Sequence, residues 1–136
     1  MFKKLLISPN LANQVSFEIL ILRVGVAILM IPHGYDKLQS FIAGNHDFPD
    51  PLHVTPIVSQ GLTIFAEFFC SILLLLGLFT RPALLILIGC MVVIAFILQW
   101  NDPLADKEHA LLYLISYIVI FLTGAGKYSL DAKIFK

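Results

Sequence analysis

Four apolar stretches dominate this chain: Ile19 to Tyr35, Gly61 to Phe79, Ala83 to Leu98 and Ala110 to Gly126. Each approaches the roughly 20 residues that an α-helix needs to cross a bilayer. Inside a bilayer no water satisfies the backbone, so such stretches must be helical. The third and fourth are slightly short, and Gln99, Trp100 and Tyr128 extend them into the headgroup region, where residues of this kind concentrate. Composition agrees: at 136 residues, 59% hydrophobic and 13% charged, with a mean hydropathy of +0.91, a water-soluble fold could not cover its own surface. The expected fold is all-α, a polytopic membrane protein built as a four-transmembrane-helix antiparallel bundle. It forms a single domain over 1–136, with spans near 17–38, 57–78, 82–100 and 108–126.

The N-terminus does not read as a cleaved signal. "SPNLANQ" separates Lys3 and Lys4 from the first apolar run, and Arg23 lies inside that run, so the first helix is expected to be retained. Net formal charge is zero, but its distribution is uneven. Lys3, Lys4, Arg81, Lys127, Lys133 and Lys136 fall on one side of the expected bundle, with only Lys37 and Lys107 opposite. The positive-inside rule then places both termini in the cytoplasm. Asp36, Asp47, Asp50, Asp102, Asp106 and Glu108 gather on the other face, and nothing in the pattern suggests nucleic acid.

The connections read as turns of different kinds. "AGNHDFPDPLHVTP" makes residues 39–56 an irregular loop long and varied enough to fold back over the bundle. "GLFTRP" forms a tight helical hairpin, with Gly77 in the left-handed conformation and Pro82 in the first turn of the next helix. Residues 101–109 form a second short link, with Glu108 near the start of the fourth helix.

Charged residues within the spans are costly, about 2.5–3.5 kcal/mol each at a helix centre, and should face the bundle and find partners. Arg23 and Glu67 sit about 9 and 16 Å from the same membrane edge at the α-helical rise, and the sequence suggests an intramembrane ion pair between them. At the other end, "IPHGYDKL" closes the first helix. Pro32 is expected to bend its last turns and Gly34 to admit a neighbouring helix, bringing His33 and Lys37 inward toward the start of the fourth helix. His33, Lys37, Glu108, His109 and Tyr113 are therefore the candidate ligand-binding cluster. A structural reading stands beside it, in which the histidines and Lys37 merely anchor the helix ends at the interface. Neither HExxH nor ExxH spacing occurs, so no metal site is expected. Cys70 and Cys90 lack CxxC spacing, and both are expected as free, buried thiols at similar depth on adjoining helices.

Three segments carry a family resemblance. "LRVGVAILMIPHGYDKL", "AEFFCSILLLLGLFTRPA" and "EHALLYLISYIVIFLTGAGKYSLD" stand in the order of the first, second and fourth helices of the DoxX family, and the chain resembles that family from about residue 20 to 132. The ending "GAGKYSLD" is the most specific element, although Ala125 stands where relatives commonly have proline. The resemblance implies a four-helix bundle in the bacterial cytoplasmic (inner) membrane, with both ends inside. It also implies association with membrane redox systems that use quinone.

Three functional classes follow. The first is an accessory or anchoring subunit of a quinone-linked redox complex, with a protein partner. The second is a stand-alone quinone-binding oxidoreductase. The third is a small lipid- or solute-handling protein, which for a conventional carrier would require a homo-oligomer, because the sequence contains no inverted repeat. The residues alone identify neither a catalytic group nor a bound cofactor. Quinone is the ligand that the resemblance suggests.

Overall fold

The computed structural model describes residues 13–135, which are all-helical with connecting turns and no strand among them. α1 (Asn13–Ile42) is followed by α2 (Pro56–Leu76), α3 (Thr80–Leu98), α4 (Leu104–Thr123) and a short α5 (Leu130–Ile134). α1, α2 and α3 are long and apolar enough to cross a membrane. α4 has 20 residues, and its first turns carry Asp106, Lys107 and Glu108. Lys3, Lys4 and Lys136 lie outside the described residues.

Helical periodicity explains the packing. α1 buries Ser16, Ile19, Arg23, Ala27, Met30 and Gly34, a single stripe at three- and four-residue spacing. Ile21, Ile28 and Leu29, off that stripe, are exposed. Ala27 and Met30 meet Ala66, Cys70 and Leu74 of α2, Leu84, Leu87 and Met91 of α3, and Leu114, Tyr117 and Ile120 of α4 in one core. Apolar residues also cover the outside of the bundle, as expected where lipid is the solvent.

α1 does not end at the expected position. It runs through Pro32 and continues to Ile42, leaving 43–55 as the loop. Gly34 is the point of closest approach: a Cβ there would lie 2.6 Å from the Glu67 carbonyl carbon and 2.6 Å from the Phe68 nitrogen of α2. Because the obstacle is backbone, it cannot swing aside. Gly34→Ala should therefore lower stability by about 1–3 kcal/mol, the cost of overpacking a close-packed contact. Chemical denaturation of the purified protein in detergent measures this.

The opposite end is locked by the C-terminal segment. Gly77 ends α2 in the left-handed conformation (φ 68°), with Ser129 and the Arg23 guanidinium packed against it. Arg23 donates from Nη1 to the Ala125 carbonyl (2.7 Å) and from Nη2 to the Tyr128 carbonyl (2.9 Å). Asp131, buried, accepts from the backbone N–H groups of Phe79 (2.8 Å) and Thr80 (2.9 Å), the free donors at the start of α3. Its own N–H donates to the Gly77 carbonyl (2.8 Å). Gly124 and Gly126, both at φ 79°, turn the chain so that these carbonyls face inward.

Candidate functional site

The charged pair inside the bundle differs from the expected one. Arg23 does not meet Glu67. It is bound to the two C-terminal carbonyls, while Glu67 is paired with Lys37. Gly34 sets this partnership: it brings α1 against the backbone of Glu67, and Lys37 lies three residues further along the same face. Lys37 Nζ donates to Glu67 Oε1 (2.6 Å) and Oε2 (2.8 Å), with Glu67 3% exposed and Lys37 30%. An ammonium has three protons, and this geometry uses two of them.

Lys37 also lines a cavity of about 650 Å³ between α2, α3 and the 43–55 loop. The walls are otherwise mostly apolar: Phe48, Pro51 and Leu52 from the loop, Phe65 and Ala66 from α2, Val93 and Ile94 from α3. Both helices depart from α geometry here. Phe65–Cys70 of α2 and Ile94–Leu98 of α3 are π-helical, a local widening that often accompanies functional sites. Cavity size and an apolar lining with few polar groups fit the usual character of a small-molecule site.

Of the five residues in the expected binding cluster, Lys37 lines the cavity. His33 and Tyr113 come together elsewhere, their rings edge to face at 6.4 Å, with Tyr113 stacked on Tyr117 at 5.9 Å. Glu108 and His109 are exposed on α4. The two cysteines are free, Cys70 buried in the core and Cys90 half-buried at the cavity wall. Among the described residues no group of three or more metal-ligating side chains occurs.

The loop contributes residues that the sequence pattern did not single out. Gln60 of α2, 2% exposed, donates to the Asn45 carbonyl (3.0 Å), and its Oε1 lies 3.0 Å from His46 Nδ1. The donor there must be the imidazole, because the amide oxygen can only accept. Asp50 accepts from Ser59 Oγ (2.7 Å) and from the N–H groups of Val54 (2.9 Å) and Thr55 (2.8 Å). The Ser59 hydrogen bond foremost, then these amides and neighbouring His53, hold the Asp50 carboxyl below its ordinary value of 3.8. A depressed carboxyl contributes its stabilisation above the unfolded value and loses it as pH falls through the folded one. Protection of the Val54 and Thr55 amides against hydrogen exchange should therefore hold at neutral pH and disappear below the ordinary carboxylate range.

Comparison with known proteins gives a family. The DoxX profile matches residues 18–100. An uncharacterized protein of Haemophilus influenzae is 35% identical over 138 residues, covering 93% of this chain and 98% of the relative. No solved structure matches the chain.

Proposed function

The chain belongs to the DoxX family of membrane proteins, and from that premise we propose that it holds the headgroup of a membrane quinone as an accessory or anchoring subunit of a quinone-linked redox complex. The observation that carries this reading is Lys37 at the wall of an apolar cavity, its ammonium clamped by Glu67 through two of its three protons. A quinone fits that chemistry. Its carbonyl oxygens accept hydrogen bonds, its ring and isoprenoid tail suit apolar walls, and about 650 Å³ lies within the usual range for such ligands. Lys37 binds and orients the carbonyl, Glu67 fixes the ammonium, and electrons come from a redox partner protein. When bound, the quinone supplies the electron-accepting chemistry.

The remaining features support a bacterial inner-membrane location, with all four long helices crossing. Asp106, Lys107 and Glu108 then sit in the headgroup region at one end of α4, and the end bearing Arg81, Lys127 and Lys133 faces the cytoplasm. A stand-alone oxidoreductase would use the same pair for proton transfer. A lipid-handling protein would place a phospholipid's anionic head on the same ammonium.

The test is purification in mild detergent, solvent extraction and mass spectrometry of the parent and of Gly89→Phe. Gly89 lines the cavity, and a Cβ added there meets nothing within 4 Å, so a side chain at this position starts in open space and competes with a ligand for the cavity. Quinone recovered from the parent and lost from the variant supports the reading. A phospholipid recovered in that pattern, or quinone retained equally by both, overturns it.

A further inference from the structure

The cavity is bordered by the loop at one end and by the α2–α3 flank on one side. At the loop end, residues 46–52 form a strap tied at both ends to the first turns of α2, through Gln60 at one end and Ser59 at the other. Phe41 packs edge to face on His46 at 4.9 Å and seats the first tie. Next to the second, His53 (φ 56°) and Thr55 (φ 94°) stand in the left-handed region, which a β-branched residue such as threonine rarely enters. The Asp50 carboxylate holds this strained turn by accepting from the amides of Val54 and Thr55. Phe48 and Pro49, between the ties, and Pro51 and Leu52, just past the second, line the cavity on this border.

On the flank between α2 and α3 the cavity residues Leu62, Phe65, Ile86 and Leu98 are exposed and apolar. Gly89 leaves open space in the same wall. In a chain whose outer surface meets lipid, an apolar slot on this flank leads to the hydrocarbon and not to water.

We propose that the cavity loads sideways from the bilayer through the α2–α3 slot, while the 46–52 strap seals it from water, so that its ligand class is a membrane-partitioned amphiphile whose tail trails out through the slot. This rests on the ligand-binding reading above and specifies the route by which the ligand reaches the site. While both ties hold, a water-soluble solute is expected to reach the cavity interior more slowly than a lipophilic one.

Cys90, on the cavity wall, reports the route without any ligand. The experiment uses full-length protein in proteoliposomes, in a Cys70→Ala background, with labelling reagent present on both faces. A lipophilic maleimide should label Cys90 at least tenfold faster than a sulfonated, membrane-impermeant one. Breaking both ties with Asp50→Ala and Gln60→Ala should raise the sulfonated rate at least tenfold. Narrowing the slot with Leu62→Trp and Ile86→Trp, exposed positions that also line the cavity, should slow the lipophilic reagent at least fivefold. Circular dichroism and elution volume establish that each variant is folded, and Asp50→Asn with Gln60→Leu provides a second disruption of the ties, closer in side-chain volume, if the alanine pair is not. Equal rates for the two reagents in the parent, or no response to cutting the ties in a folded variant, would overturn the proposal. If the labelling pattern holds but no quinone binds, the quinone reading fails and the route stands.

Discussion

Replacing Lys37 with methionine should destabilise the protein by about 3–5 kcal/mol, because it leaves the Glu67 carboxylate buried without its counter-ion. Glu67→Gln should cost less, since the Lys37 ammonium is 30% exposed and can reach toward the headgroups. The double variant Lys37→Met/Glu67→Gln should recover most of the loss, as no charge then remains to be desolvated. Thermal and denaturant unfolding of the four proteins forms a double-mutant cycle. A strongly non-additive result is expected, and simple addition of the two losses would mean that the pair does not act as a unit.

The second large effect lies at the other end of the bundle. Arg23→Met removes two charge-assisted hydrogen bonds, one buried and one part-buried, and at about 1.5–3 kcal/mol for each bond to a charged group the loss should be about 3 kcal/mol. Asp131→Ala uncaps α3 and should cost about 2 kcal/mol, the upper range for an N-cap. The two charges attract one another, so the double variant should lose less than the sum. Protease sensitivity of residues 124–135 should rise in each single variant, because both side chains hold that segment down. An unchanged digestion pattern in Arg23→Met would show that the arginine is not what fastens it.

Helix periodicity was legible because a buried stripe and lipid-facing flanks repeat at the helical period. Arg23 and Glu67 were legible as groups in need of partners, because a charge in lipid is costly wherever it points. Their partners were not, since pairing depends on helix register. Gly34 sits against Glu67 and Gly77 against Arg23, which places Arg23 eleven residues, or about 16 Å, from the level of Glu67 on α1. The signal that could have revealed this was Gly34 itself: a glycine that admits a backbone marks the level of its neighbour, and Lys37 is then the nearest cation.

Other features were only partly legible. "GAGKYSLD" stood out as a motif, but the role of its carbonyls depends on Arg23 of α1, more than a hundred residues away, and that of Asp131 on the start of α3, more than fifty residues away. The loop's prolines and acids suggested that it folds back, yet nothing in their spacing indicated that Asp50 and His46 fasten it to Ser59 and Gln60. The histidine-rich cluster expected near α4 gathered residues that share a membrane level. Glu108 and His109 nevertheless remain exposed, because their positions on α4 face away from the buried stripe of Ala110, Leu114 and Tyr117.

The central claim is that the Lys37 ammonium receives a quinone carbonyl in the α2–α3 cavity. It is tested most directly by the affinity of a short-tailed quinone for the parent and for Lys37→Met/Glu67→Gln, the variant in which stability is largely restored and the donor is gone. Binding to the parent with at least tenfold weakening in the folded double variant is the predicted result. Equal affinity in both proteins, or no binding to the parent, would contradict it.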